Sequence, residues 1–203
     1  IAKSDVGKKR TNNEDSMFAK DFTDEVSLYI VADGLGGYES GEVASKMLIE
    51  TVSSYIEEYV PFFKSLDESR IVEIFKEAIL SANSKIYDKE KTDVKYKGMG
   101  TTVVGLLKIK ENLYYTSIGD TRLYYIDEAK EKITQITVDD TYVNELIKTN
   151  AITEEEAKNH PRKHVLTKAV GILKLLDISV KKMDNIYGYF LLDGLISSSS
   201  IFS

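Results

Sequence analysis

The feature that most constrains this chain is a change of hydrophobic period. Residues 16–22 and 26–32 read as two strands, the second a β-branched run from Val26 to Ala32. The period then lengthens. Val43, Met47, Leu48, Val52, Tyr55, Ile56 and Tyr59 recur at helical spacing, and so do Ile71, Ile74, Phe75, Ala78, Ile79, Ala82 and Ile86. Two long helices are predicted at about 41–60 and 67–90, with Pro61 where a stop is expected. Strand-like runs return over Thr101–Ile109, Leu113–Ile118 and Leu123–Ile126, the first two joined by a Glu111-Asn112 turn and the last two by Gly119-Asp120. Residues 141–160 read as short helices, with Thr153 as an N-cap, and 174–182 and 187–192 read as late strands. This order favours an α+β chain with antiparallel sheets over a regular βαβ repeat.

Composition narrows the function. A chain of 203 residues can bury a core as one domain without staples, and no linker or internal repeat divides it. With no cysteine, a disulfide scaffold, a Cys-type zinc site and a thiol nucleophile are excluded together. A net charge of -6 argues against a general affinity for nucleic acid. Apolar runs such as VVGLL are too short for a bilayer, and the first ten residues lack a signal-peptide core. The expectation is a cytoplasmic protein with no membrane or nucleic-acid partner.

The stretch IVADGLGGYESGEVASKML ends a strand on Asp33 and three glycines, then opens a helix. A Rossmann fingerprint counted from Gly34 meets Glu39 at its last glycine. A P-loop counted from Gly36 meets Glu42 in place of its lysine. A tight Asp-Gly turn is the plain alternative. Yet Asp33, Asp120 and Asp193 all follow β-rich runs and all adjoin a glycine, and Glu14-Asp15 stands just before the first strand. They are either unrelated surface turns or strand ends converging on one spot. Converging carboxylates at about 4–5 Å would repel by roughly 3–4 kcal/mol per pair at an effective dielectric near 20, which calls for protons or cations. An all-oxygen donor set points to Mg²⁺ or Mn²⁺.

The motifs Gly7-x-x-Arg10-x-x-Asn13-Glu14-Asp15, Asp33-Gly34-x-Gly36-Gly37, Gly98-x-Gly100-Thr101-Thr102, Gly119-Asp120-Thr121-Arg122 and Asp193-Gly194-Leu195 occur in that order. Together they resemble the metal-dependent serine/threonine protein phosphatases (PPM, the type 2C phosphatases) of bacterial type. The resemblance runs from about Ser4 to Leu195 and implies a central sandwich of two antiparallel β-sheets flanked by pairs of antiparallel helices. It also implies hydrolysis of phosphoserine and phosphothreonine in proteins by a metal-activated water, with two or three Mn²⁺ or Mg²⁺ ions. In that scheme Asp33 bridges two ions, the Gly34 carbonyl ligates one, Asp193 binds the first ion, and Asp120 and Asp193 hold a third. Glu14 and Asp15 reach the ions directly or, for the most part, through waters, and Arg10 grips the substrate phosphate with its planar fork. The implied partner of this monomer is a phosphorylated protein, a serine/threonine kinase or its targets, selected by a flap at about 139–165.

The match has departures. Leu35 stands where some members carry a histidine acid. His160 and His164 have ligand-like spacing, but Pro161 between them favours capping or packing. The family's final Gly-x-Asp-Asn motif has no counterpart, since Asp184-Asn185 lies upstream of Asp193. Residues 1–203 are therefore expected to be a single catalytic domain whose C-terminal part is missing. The alternative function is a non-catalytic or truncated relative that binds a phosphoprotein or partner.

Overall fold

The computed structural model describes residues 14–36, 39–92, 94–183 and 188–194, and it opens on a hairpin. Strands β1 (Asp15–Thr23) and β2 (Val26–Leu35) pair antiparallel and carry Asp15 opposite Asp33. The Thr23 hydroxyl closes the turn by accepting from the N–H groups of Glu25 and Val26. Alternation along β2 then sorts its side chains. Val26, Leu28, Ile30 and Ala32 face a pair of helices, while Tyr29 and Val31 face a second sheet.

The helices are α1 (Ser40–Tyr59) and α2 (Glu68–Thr92), close to the predicted spans. They run antiparallel, because Tyr59 meets Arg70, Tyr55 meets Glu77 and Thr51 meets Lys85. Their apolar stripes bury Leu48, Val52, Ile56, Ile74, Phe75, Ile79 and Ile86 against the sheet. Each such side chain contributes about 1.5–3 kcal/mol by leaving water, so this layer supplies most of the driving force.

Next come β3 (Gly100–Thr101), β4 (Val103–Ile109), β5 (Asn112–Ile118), β6 (Arg122–Asp127) and β7 (Lys132–Gln135). Then follow α3 (Tyr142–Lys148), α4 (Glu154–Lys158), β8 (Val180–Met183) and β9 (Tyr189–Asp193). The first sheet has the order β1-β2-β4-β5-β8, with β3 also pairing β2, and the second has the order β7-β6-β9. All pairings are antiparallel. The inner layer between the sheets joins Val104, Leu106, Leu123 and Met183 with Tyr29, Val31, Phe190 and Leu192. The α+β sandwich is therefore present.

Three details differ from expectation. Strand β7 escapes the periodic reading because it is short and Ile133 is exposed among Lys132, Thr134 and Gln135. The strand expected over 174–182 forms only from Val180. Leu176 and Ile178 alternate because both sink into the helix-side core, but the preceding backbone is held by a side chain rather than a ladder. Asn83 on α2 donates to the carbonyls of Leu173 and Lys174 and accepts from the N–H of Gly171. Finally, the sandwich has one flanking pair of long helices. Among the described residues α3 and α4 are short and belong to the flap region, so the second pair implied by the resemblance is not seen there.

Candidate functional site

Asp33 sits at the end of β2, 2% exposed, with its peptide group clamped on both sides. Its N–H donates to Thr102 Oγ1 at 3.1 Å, and its carbonyl accepts from Thr101 Oγ1 and from the N–H of Thr102, both at 2.9 Å. One residue on, the N–H of Gly34 donates to the carbonyl of Glu14 at 3.2 Å. A Cβ on Gly34 would lie 2.1 Å from the carbonyl oxygen of Gly41 in the first turn of α1. Glycine is required because the strand end is pressed against the start of a helix. Ser45 on α1 completes the joint by donating to the Glu14 carbonyl at 2.7 Å and bonding the Ser16 hydroxyl at 2.8 Å. The strand-to-glycine-to-helix passage thus fixes Glu14, Asp15 and Asp33 as one rigid corner.

The second sheet brings another carboxylate to that corner. Register places Asp193, 6% exposed, opposite Arg122 at the rim of the sheet. A Cβ on the following Gly194 would lie 3.1 Å from Val31 and 3.9 Å from the carboxyl carbon of Asp15. Asp15, Asp33 and the Asp193-Gly194 peptide therefore occupy the same end of the inter-sheet layer. Asp120 stands in the β5–β6 turn. Its neighbour Gly119, at φ 94°, rests on Thr102, the residue that holds Asp33. Burial, and secondly the charge of Asp139, push the Asp120 carboxyl above the usual range.

Sequence reasoning missed the supports of this rim. Arg122 grips Asp139 through Nε at 2.9 Å and Nη2 at 2.6 Å, and this ion pair raises the guanidinium pKa further. Asp140 ties the flap to the β5–β6 turn: its N–H donates to the Gly119 carbonyl at 2.8 Å, and its Oδ2 accepts from the Gly119 N–H at 3.1 Å. The N–H of Thr167 closes the flap on the Asp140 carbonyl at 2.8 Å. Nothing in the hydrophobic pattern marks Thr101, Thr102, Asp139 or Asp140, although the first two stand inside a quoted motif.

The other candidates resolve simply. Glu39 and Glu42 are engaged by Lys95 and Lys46. His160 packs on the ring of Tyr142, and its Nδ1 accepts from the N–H of Arg162, so it serves packing and turn formation. Arg10 lies outside the described residues, as do Gly7, Asn13, Gly37, the Asp184-Asn185 pair, Leu195 and the Ser-rich tail. The expected set Glu14, Asp15, Asp33, Gly34, Asp120 and Asp193 does not close into one cage. Among the described residues no three acidic or histidine side chains form a metal-holding group. These carboxylates are delivered from separate places: Glu14 and Asp15 at the start of β1, Asp33 near the end of β2, Asp120 in the β5–β6 turn and Asp193 at the end of β9. The all-oxygen chemistry of these donors suits an ion such as Mg²⁺, which keeps several waters and takes one or two carboxylates.

The family model for protein phosphatase 2C matches residues 7–175. The chain belongs to that family. It is 38% identical over 170 residues to a Streptococcus pyogenes protein described as a protein phosphatase 2C-type, covering 83% of this chain. It spans 66% of that relative's length, just under two thirds. The crystal structure of the serine/threonine phosphatase Stp1 from Staphylococcus aureus superposes with a TM-score of 0.82 at 32% identity, covering 93% of this chain and 72% of that one. The catalytic domain of the phosphatase PstP, in complex with 2 manganese ions, gives a TM-score of 0.74 at 29% identity, covering 94% of this chain and 74% of that one.

Proposed function

We propose that this chain is the catalytic region of a metal-dependent phosphatase that hydrolyses phosphoserine and phosphothreonine in proteins. The observation that carries the reading is the pairing of Asp15 with Asp33, with Gly194 packed on Asp15, at one end of the sandwich. Family membership and the manganese-bound PstP relative support it.

In this reading Asp33 and Asp193 hold divalent ions, Mn²⁺ or Mg²⁺, two or three in number. Glu14, Asp15, Asp120 and the Gly34 carbonyl complete the oxygen donors. When bound, such ions acidify water toward neutral pH and offset phosphoryl charge. The chain's own residues do the positioning. The Thr101–Thr102 clamp fixes the Asp33 backbone, so the carboxylate is preorganised rather than drawn in. Arg10 holds the substrate phosphate through two oxygens. The flap at about 139–165 contacts the surrounding peptide. A phosphorylated protein, such as a serine/threonine kinase or its target, is the substrate of this monomer. The setting is cytoplasmic, a reading to which the described helices add that none is long and apolar enough to cross a membrane.

The test is phosphate release from a phosphothreonine peptide with Mn²⁺, with and without EDTA, by this chain and its Asp33→Asn variant. Release that needs metal and is lost in the variant is expected. No release from folded protein at millimolar Mn²⁺ would overturn catalysis for this chain.

A further inference from the structure

Strand β6 opens on a cation set between two carboxylates. Arg122 and Asp193 are direct partners across β6 and β9. Direct partners of an antiparallel pair project from the same face, with Cβ atoms about 4.5–5.5 Å apart. A guanidinium on that stem can therefore reach the Asp193 carboxylate. It turns to Asp139 instead. Its Nε donates to Asp139 Oδ1 at 2.9 Å and to Oδ2 at 3.1 Å, and its Nη2 donates to Oδ2 at 2.6 Å. Its Nη1 donates to the Tyr124 hydroxyl at 3.2 Å. Every nitrogen of the fork thus has a partner other than Asp193.

Asp139 is itself held in place. It is buried, and Gln135 Nε2 on β7 donates to its Oδ1 at 3.1 Å and to the Thr137 carbonyl at 2.9 Å. Asn144 Nδ2 on α3 donates to the Asp139 backbone carbonyl at 2.9 Å. A buried carboxylate fixed by β6, β7 and α3 around one arginine is more than a surface ion pair, which contributes little. Its position gives it a use. Asp193 serves the rim as an oxygen donor, and an arginine fork seated on it would take the lone pairs that a divalent ion needs.

We infer that Asp139 is a positioning residue for the metal-holding Asp193: it takes the Arg122 fork and so keeps that cation off the Asp193 carboxylate. The inference rests on the phosphatase reading of the rim. Asp139 acts through Arg122, and its effect should vanish when Arg122 is absent.

The experiment measures Mn²⁺ binding from the electron paramagnetic resonance signal of the free ion, at a temperature where thermal melts show each variant folded. Asp139→Asn keeps the shape and removes the charge that holds the fork. It should weaken Mn²⁺ by about tenfold to a hundredfold, because the ion must then displace a charge-assisted hydrogen bond. The double variant Arg122→Gln, Asp139→Asn should bind Mn²⁺ within about threefold of Arg122→Gln alone. Asp127→Asn removes the same charge at the far end of β6, where Asp127 pairs with Lys130, and should leave affinity unchanged. Gln135→Ala leaves both charges and only loosens Asp139. It should weaken Mn²⁺ by about twofold to fivefold, and it carries the test if Asp139→Asn does not fold. Wild-type affinity in Asp139→Asn, or an equal loss with and without Arg122, overturns the proposal. A crystal structure of the Asp139→Asn variant grown in EDTA gives a readout that needs no metal. Arg122 within about 4 Å of an Asp193 oxygen supports the proposal, and Arg122 still turned away from Asp193 overturns it. Wild-type protein that binds no Mn²⁺ at millimolar concentration counts against the phosphatase reading, and that structure then decides the role of Asp139 by itself.

Discussion

Replacing Thr102 by valine isolates the clamp on Asp33 from the shape of the site. Thr102 is fully buried, and its hydroxyl is the acceptor for the Asp33 N–H at 3.1 Å. Valine fills the same volume, so no cavity opens, but a buried donor loses its partner. Such a loss costs about 1–3 kcal/mol. At about 2 kcal/mol, a domain of this size should melt about 4–8 °C lower. Thr102→Ser keeps the oxygen and removes the methyl that supports Gly119, a packing loss of about 1 kcal/mol or about 2–4 °C. Circular dichroism melts in EDTA measure the stability part. Phosphate release with Mn²⁺, assayed well below the melting point, measures the positioning part. Valine should lose most of the activity while serine keeps most of it. If valine melts with the wild type, or serine and valine lose activity equally, the clamp has no role in positioning Asp33.

Two further outcomes follow from the same contacts. Asn83→Leu removes a side chain that satisfies the Leu173 and Lys174 carbonyls and the Gly171 N–H, so it should cost about 3 kcal/mol at about 1 kcal/mol per bond. Amide hydrogen exchange should quicken at Gly171 first, and unchanged protection there would refute the assignment. Asp140, whose carboxyl is raised by burial, binds its proton more tightly folded than unfolded. Its linked stability is present below the unfolded pKa and is lost as pH rises through the folded value. Asp140→Asn should therefore gain stability relative to wild type at pH 7 compared with pH 4. Urea midpoints at the two pH values test the sign, and a gain confined to pH 4 would contradict it.

The sequence by itself determined most of the elements and the carboxylates that end them. Period two in β2 and period 3.6 in α1 and α2 are local signals, because each side chain answers to the layer it faces. The Asp-Gly steps at 33–34 and 193–194 were legible for the same reason, since each ends a run whose alternation is visible. Where alternation arose from burial without a ladder, as at Leu176 and Ile178, the pattern misled. Where a strand lay half exposed, as β7 does, it was silent. Register decided the rest. Asp15 meets Asp33, Arg122 meets Asp193, and Thr102 holds the Asp33 N–H across 69 residues of chain. No window of sequence contains both partners of such a contact. Only the pairing of distant strands within each sheet sets those neighbours side by side, and only the packing of the two sheets brings Gly194 onto Val31 and Asp15.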